Sequence, residues 1–300
     1  MAEIGLGLAA LGRPAYINLG RDLPADRSVA AMRARAHEVL DAAYARGVRY
    51  LDAARSYGRS EEFLAGWLAA RPDVTDVTVG SKWGYTYTAN WRLDAEVHEV
   101  KDHSVATFDR QLAETRALLG GRLDLYQIHS VTPDSPALAD GALHKRLAEL
   151  GAEGVRIGLS TSGPHQADAI RAALTVRVDG RPLFRAVQAT WNPLEPSAGD
   201  ALAAAHDAGC LVIVKEALAN GRLAVDPPAA FAEVDAAPDA VALAAALRQP
   251  WADIVLSGAS SVTQLDSNLA SASVAFESDL RALAEPPADY WRRRSALGWS

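Results

Sequence analysis

Two hydrophobic periods alternate along this chain. Val29, Met32, Ala36, Val39, Leu40 and Ala43 recur at helical spacing, with Ser28 placed as an N-cap and Gly47 as a stop. The next run, "VRYLDAA", is short and β-branched at its start, which predicts a strand ending near Asp52. A helix near 60–71 and the strand "DVTVGSK", ending at Lys82, repeat the alternation. After a loop to about 103, Val105, Phe108, Leu112, Leu118 and Leu119 mark another helix, and "RLDLYQIHS" another strand. Downstream, "GVRIGLS", "FRAVQAT", "CLVIVKE" and "ADIVLSG" read as strands separated by apolar-striped segments around 165–175, 198–208 and 239–249. Val262, Leu265, Leu269 and Ala272 supply a helix after the last of them, and "EIGLGLAA" supplies a strand at the start.

Strands and helices in regular alternation, eight strands in all, predict a (β/α)8 TIM barrel. An open doubly wound sheet suits eight regular units less well. No linker or composition shift divides the chain, so residues 1–300 are expected to form one barrel domain. Only Met1 and Ala2 precede the first strand, which leaves no room for an N-terminal hairpin across the barrel floor. The segment from about 278 to 300, with "DYWRRRSALGWS", is expected either to cover the barrel mouth or to pack as a terminal helix.

Composition narrows the classes. With 49% apolar and 22% charged residues the chain can bury a core. A net charge of -7 disfavours nucleic acid and anionic lipid, and Arg292 to Arg294 read as an exposed helix face. One cysteine, Cys210, excludes an internal disulfide and a cysteine zinc cage, and fits a reducing cytoplasm. No basic leader opens the chain and no run of apolar residues is long enough to span a membrane. Nothing in the sequence indicates an oligomeric state.

Active sites of such barrels gather at the C-terminal strand ends. There stand Asp52 with Tyr57 in its loop, then Lys82, His129, Ser160, Gln188 and Lys215. A tyrosine ordinarily ionises near pH 10, and a nearby ammonium favours its phenolate. Lys82 is placed to supply that ammonium, Asp52 to keep it charged, and His129 to hydrogen-bond an oxygen bound above Tyr57. Singly, Asp52 reads as a cap, Tyr57 as a gap filler and His129 as a core histidine. Together they change the balance, because the chain has only four lysines and two of them end predicted strands. Two other classes stay open: a Schiff-base lyase or aldolase using a strand-end lysine, and a non-catalytic nicotinamide-binding sensor. "GLGLAA" lacks the preceding strand of a Rossmann fingerprint, and no metal-binding motif is present; His98 and His103 read as solvent or substrate contacts.

"GVRYLDAARSYGRSEE", "VGSKWG", "LDLYQIHS" and "IGLSTSG" together resemble the signature strands of the aldo-keto reductase family. The resemblance implies NAD(P)H-dependent reduction of an aldehyde or ketone, or the reverse oxidation of an alcohol, with Tyr57 as general acid, Lys82 and Asp52 tuning it, and His129 orienting the carbonyl. It assigns Ser160 and Gln188 to the nicotinamide carboxamide, with Thr161 where the family carries asparagine. Lys215 stands where an aromatic residue stacks on nicotinamide, and Trp191 is the candidate to replace it. Leu218, Asn220 and Arg222 are matched to the pyrophosphate segment, and Gly258, Ser260, Gln264 and Asn268 to the adenosine site. The family's link to NADP(H) puts that cofactor ahead of NAD(H), although Ser261 and Gln264 occupy the positions of an arginine that grips a 2′-phosphate. Trp83, Trp91, His103 and Trp191, with Tyr85 and Tyr87, are expected to wall the substrate cavity.

Overall fold

The computed structural model describes residues 2–19, 25–275 and 280–299. Eight parallel strands close into a barrel in chain order: β1 (Glu3–Gly7), β2 (Tyr50–Asp52), β3 (Thr78–Trp83), β4 (Leu125–Val131), β5 (Arg156–Thr161), β6 (Ala186–Thr190), β7 (Leu211–Lys215) and β8 (Ile254–Ser257). Closure is made where Glu3 pairs with Ile254 and Leu6 with Ser257. The period-two alternation of each strand sends one set of side chains inward and the other against the helices. Inside, Tyr50, Leu125, Ala186, Ile213 and Ile254 form a small apolar plug. Gly5 and Gly80 leave room for the Tyr50 side chain, since a Cβ at Gly5 would lie 2.9 Å from its ring and one at Gly80 2.5 Å from its hydroxyl.

The outer ring comprises α1 (Val29–Ala45), α2 (Ser60–Ala69), α3 (Val105–Leu119), α4 (Gly141–Ala152), α5 (Gln166–Thr175), α6 (Gly199–Asp207), α7 (Pro238–Leu247) and α8 (Val262–Leu269). The expected stripe of α1 is its buried face, with Met32, Ala36, Val39, Leu40 and Ala43 packed inward and Ser28 capping Ala31 N. Two hairpins were not anticipated. Tyr85–Tyr87 pairs with Glu99–Lys101 inside the long loop after β3. Arg177–Val178 pairs with Arg181–Pro182 around Asp179 and Gly180, both at positive φ, a turn whose Asp-Gly signal stands in the sequence.

A last helix, α9 (Pro287–Ser295), packs Tyr290 and Trp291 against Leu223, Phe231 and Val241. Beyond it Trp299 reaches the barrel mouth, where its ring stacks on His98 at 4.1 Å. Of the segment expected to cover the mouth, residues 278, 279 and 300 lie outside the described residues. At the barrel floor a hollow of about 1230 Å³ is lined by Asp124, Arg156, Arg185 and Asp253 together with Val178, Asp179, Arg181 and Pro182 of the second hairpin. No helix among the described residues is long and apolar enough to cross a membrane.

The loop after β1 and the loop after β2 interlock at two glycines. Arg59 N donates to Gly12 O at 2.7 Å. A Cβ on Gly12 would lie 2.3 Å from Tyr57 O, and one on Gly58, at φ +59°, would lie 2.5 Å from Gly12 O. Gly12→Ala is therefore expected to destabilise the fold by about 1–3 kcal/mol through backbone overpacking. Gly141→Ala, with no atom within 4 Å of the added carbon and a place in the first turn of α4, is expected to be neutral or stabilising by up to about 1 kcal/mol. Urea unfolding midpoints compare the two; equal midpoints would refute the interlock.

Candidate active site

The four residues singled out for proton transfer meet at the C-terminal mouth of the barrel. Register places Asp52 beside Gly80, so Lys82, two residues further along β3, rises past it on the same inner face. The Lys82 Nζ donates to Asp52 Oδ2 at 2.5 Å and to Ala53 O at 3.0 Å, and lies 4.8 Å from the centre of the Tyr57 ring. Asp52 Oδ1 accepts from Gln188 Nε2 at 3.0 Å and from the Tyr50 hydroxyl at 3.4 Å. Burial pushes the Lys82 ammonium down from its ordinary value, and Asp52 opposes that pull. His129 sets its ring edge-on to Tyr57, with centroids 5.5 Å apart, and its Nδ1 lies 3.4 Å from Ser56 Oγ.

Electrostatics keep both groups in their neutral forms. Burial first, and then the Asp52 carboxylate, push the Tyr57 phenol well above its usual range. The expectation that the nearby ammonium would draw it down is outweighed, because Lys82 is already paired and the phenol is shut away from water. Burial first, then Lys82 and Lys215, push His129 well below the usual imidazole value. The site thus holds a protonated phenol beside a neutral imidazole.

One cleft runs from this group along the barrel mouth. Gln188, Lys215, Leu218, Asn220, Gly258, Gln264 and Asn268 line it with Asp52, Tyr57 and His129. Two of these carry unspent acceptors: Gln188 Oε1 and Asn220 Oδ1 are buried with no hydrogen-bond partner among the described residues. The Gln188 orientation is fixed chemically, since turning the amide over would set its oxygen against the Asp52 carboxylate. A buried amide oxygen beside the proton-transfer group suits a carboxamide donor, so the residues present fit a nicotinamide cofactor. Lys215 Nζ donates to Thr190 Oγ1 at 2.9 Å and sits 3.7 Å from Glu216; burial pushes it down to about 8.

Other expected site residues are placed elsewhere. Ser160 accepts from Ser130 N at 2.8 Å and Ser260 turns to Gln264 Oε1 at 3.0 Å, both fully buried behind the cleft wall. Arg222 pairs with Glu285 at 2.6 Å on the side of α9. None of the four substrate candidates lines the cleft. Trp83 follows the inward Lys82 and so faces out, into the core against Phe108. Trp91 donates to Arg27 O and packs edge-on to Phe63, and Trp191 packs on Trp251. His103 is held from both sides, Nε2 donating to His129 O at 2.9 Å and Nδ1 accepting from Ser135 Oγ at 2.8 Å. It supports the backbone of His129 from behind.

Part of the wall comes from residues that sequence reasoning did not select. Arg13 lies within 5.1 Å of the ring centres of Tyr16, Tyr57 and Trp299, and pairs with Glu99 at 3.0 Å. Tyr85, among the loop aromatics expected to wall the cavity, does line it, edge-on to His129 at 5.1 Å. Glu216 and Arg294 close one side as a paired carboxylate and guanidinium. No group of three or more His, Cys, Asp or Glu among the described residues is arranged to hold a metal ion.

Known proteins share this family's sequence pattern and this fold. A sequence model of the Aldo/keto reductase family matches residues 3–282. The chain is 29% identical over 193 residues to Aldo-keto reductase str7 of Strobilurus tenacellus, covering 62% of this chain and 51% of that protein. It is 27% identical over 194 residues to Aldo-keto reductase ausK of Emericella nidulans, covering 62% and 47%. The chain thus spans about half the length of the curated relatives it matches. Among solved structures, aldo-keto reductase AKR11C1 of Bacillus halodurans, in its holo form, superposes with a TM-score of 0.68 at 22% identity, covering 97% of this chain and 91% of that one.

The cleft also contains a strong pH-linked contact. Burial alone would raise Glu216, but Arg294 and Lys215 outweigh it and hold the carboxyl down at about 2 against an ordinary 4.5. A depressed folded value means that its stabilisation is fully present above pH 4.5 and is lost as pH falls toward 2. Glu216→Gln is therefore expected to lower stability near neutrality by about 3 kcal/mol. Denaturant titrations of both proteins across the acid range should show the difference shrinking below pH 4.5; a difference that stays constant would disprove the linkage.

Proposed function

The chain belongs to the aldo/keto reductase family, and from that premise we propose that it is a nicotinamide-dependent oxidoreductase interconverting a small aldehyde or ketone and the corresponding alcohol. The observation that carries the reading is the convergence of Asp52, Tyr57 and His129 on one cleft wall, with Lys82 buried behind the Tyr57 ring. Tyr57, kept protonated by burial, donates its proton to the carbonyl oxygen in the reducing direction and takes it back in the oxidising one. Lys82, anchored by Asp52, lies against the ring and stabilises the phenolate left behind. His129, neutral at the cleft wall, holds the substrate oxygen in line with the Tyr57 hydroxyl. The nicotinamide, when bound, supplies or accepts the hydride. Gln188, Lys215, Leu218, Asn220, Gly258, Gln264 and Asn268 are the residues proposed to hold that cofactor. Arg13, Tyr85 and Trp299 are proposed to wall the substrate end, and the whole chain to act as one barrel domain, in the reducing cytoplasm that the lone, buried Cys210 suits.

One observation favours a second reading. Lys215 is buried beside the cleft with its ammonium pushed down to about 8, which suits a lysine that condenses with a carbonyl. Its hydrogen bond to Thr190 and the neighbouring Glu216 favour the charged form instead, so imine formation is not expected. Borohydride treatment with a panel of aldehydes, followed by intact-mass measurement, should leave Lys215 unmodified. A stoichiometric Lys215 adduct without nucleotide turnover would select the lyase reading.

Tyr57→Phe keeps the ring and removes the proton. It should slow carbonyl reduction by on the order of 10² to 10⁴ while leaving nucleotide affinity nearly unchanged. The nucleotide absorbance assay, run where chemistry limits turnover, decides: wild-type rates in the variant would remove Tyr57 from the acid–base role.

A further inference from the structure

The far end of the cleft carries a charge that the proposed chemistry does not use. Asp239, the second residue of α7, lines the cleft together with Gly258, Gln264 and Asn268. Its Oδ1 accepts from Ser267 Oγ at 2.9 Å and its Oδ2 from Asn268 Nδ2 at 2.8 Å. Asn268 is fixed in turn, its Oδ1 accepting from Ser257 Oγ at 2.7 Å. The carboxylate is thus held in place by hydrogen bonds from neutral groups, with acceptor sites left on both oxygens. Among the described residues lining this end, from Asn220 to Val225 and from Leu256 to Asn268, Asp239 alone is charged. The cation on the same loop, Arg222, is engaged by Glu285.

We infer that Asp239 makes this a site for a dinucleotide whose adenosine ribose keeps a free 2′-hydroxyl, so that NAD(H) is bound in preference to NADP(H). The inference rests on the oxidoreductase reading. The hydride-carrying ring must lie beside Tyr57, which leaves the adenosine half of the same molecule to the opposite end of the cleft. A ribose hydroxyl arriving there donates to an ionised acceptor. A 2′-phosphate arriving there brings close to two negative charges against a carboxylate, with no cation among the described residues lining this end to offset them. The family's link to NADP(H), which set the expectation from sequence, is countered by this acidic lining.

Equilibrium titration of the full chain with NADH and NADPH, followed by tryptophan quenching or calorimetry, tests the inference without relying on turnover. NADH is expected to bind roughly ten- to a hundredfold tighter, and the NADPH deficit should shrink as salt is raised. Asp239→Asn, which preserves shape, should tighten NADPH by about tenfold or more and NADH not at all. Should that variant fold poorly, Gln264→Arg adds a cation at the same end and is expected to tighten NADPH selectively, while the salt dependence of the unaltered protein needs no substitution. Wild-type affinity for NADPH equal to or above that for NADH, unmoved by Asp239→Asn, would overturn the inference and leave the oxidoreductase reading intact. Failure to bind either nucleotide would overturn both.

Discussion

A buried ammonium–carboxylate pair, Lys82 with Asp52, is the constraint around which the barrel mouth is arranged. Taking both charges out of water costs several kcal/mol per ion unless each is fully hydrogen-bonded. The fold meets that demand with particular groups: Ala53 O for the lysine, and the Gln188 amide and Tyr50 hydroxyl for the aspartate. These come from β2, its outgoing loop and β6 on the far side of the barrel, so the pair is satisfied only when the ring has closed. Gly80 matters for the same reason, since any side chain there would strike the Tyr50 hydroxyl that supports Asp52.

With that pair in place, the neighbouring groups acquire their protonation states. Burial first, and then the charges of Lys82 and Lys215, make a positive charge on His129 unfavourable. Tyr57 retains its proton because water is excluded and a carboxylate lies near, while the ammonium under its ring lowers the cost of losing that proton once a substrate oxygen can take it. Rigidity behind the site has its own supports. His103 and Ser160 grip the backbone on either side of the His129–Ser130 link, where Ser130 adopts a positive φ of 55°. Gly12 and Gly58 lock the Tyr57 loop against the loop from β1.

Local pattern made the barrel legible, because alternating periods report directly which face of each element is buried. The strand-end polar residues were legible for the same reason: Asp52, Lys82, His129 and Gln188 break apolar runs at positions where a core residue would otherwise stand. Parity carries more information than was taken from it. Since Lys82 points inward, Trp83 must point outward into the helix layer, as it does. Other features leave no local trace. Arg13, Glu99 and Trp299 meet at the cleft although they lie in the first loop, the middle of a hairpin and the last residues of the chain. The direction of the Tyr57 shift depends on how much water the closed mouth excludes, a quantity that no spacing of residues encodes.

The C-terminal segment shows why such long-range assembly matters for the site. Arg294 of α9 clamps Glu216, which follows β7 at a positive φ of 56° and also meets Thr190 at the end of β6. A non-glycine residue in that conformation is held by its surroundings, and here the surroundings are a guanidinium delivered from the end of the chain. Glu216 in turn lies beside Lys215 and opposes the burial that pushes its ammonium down, so a residue of α9 bears on the charge next to the cleft through that carboxylate. Four residues beyond the end of α9, Trp299 stacks on His98 and covers Arg13, which itself packs on Tyr57. One terminal segment therefore reaches the two sides of the cleft by separate contacts, electrostatic at Glu216 and aromatic at Arg13. Loosening the segment would alter the environment of Lys215 and of Tyr57 together, which couples the order of the chain's end to the polarity of the site.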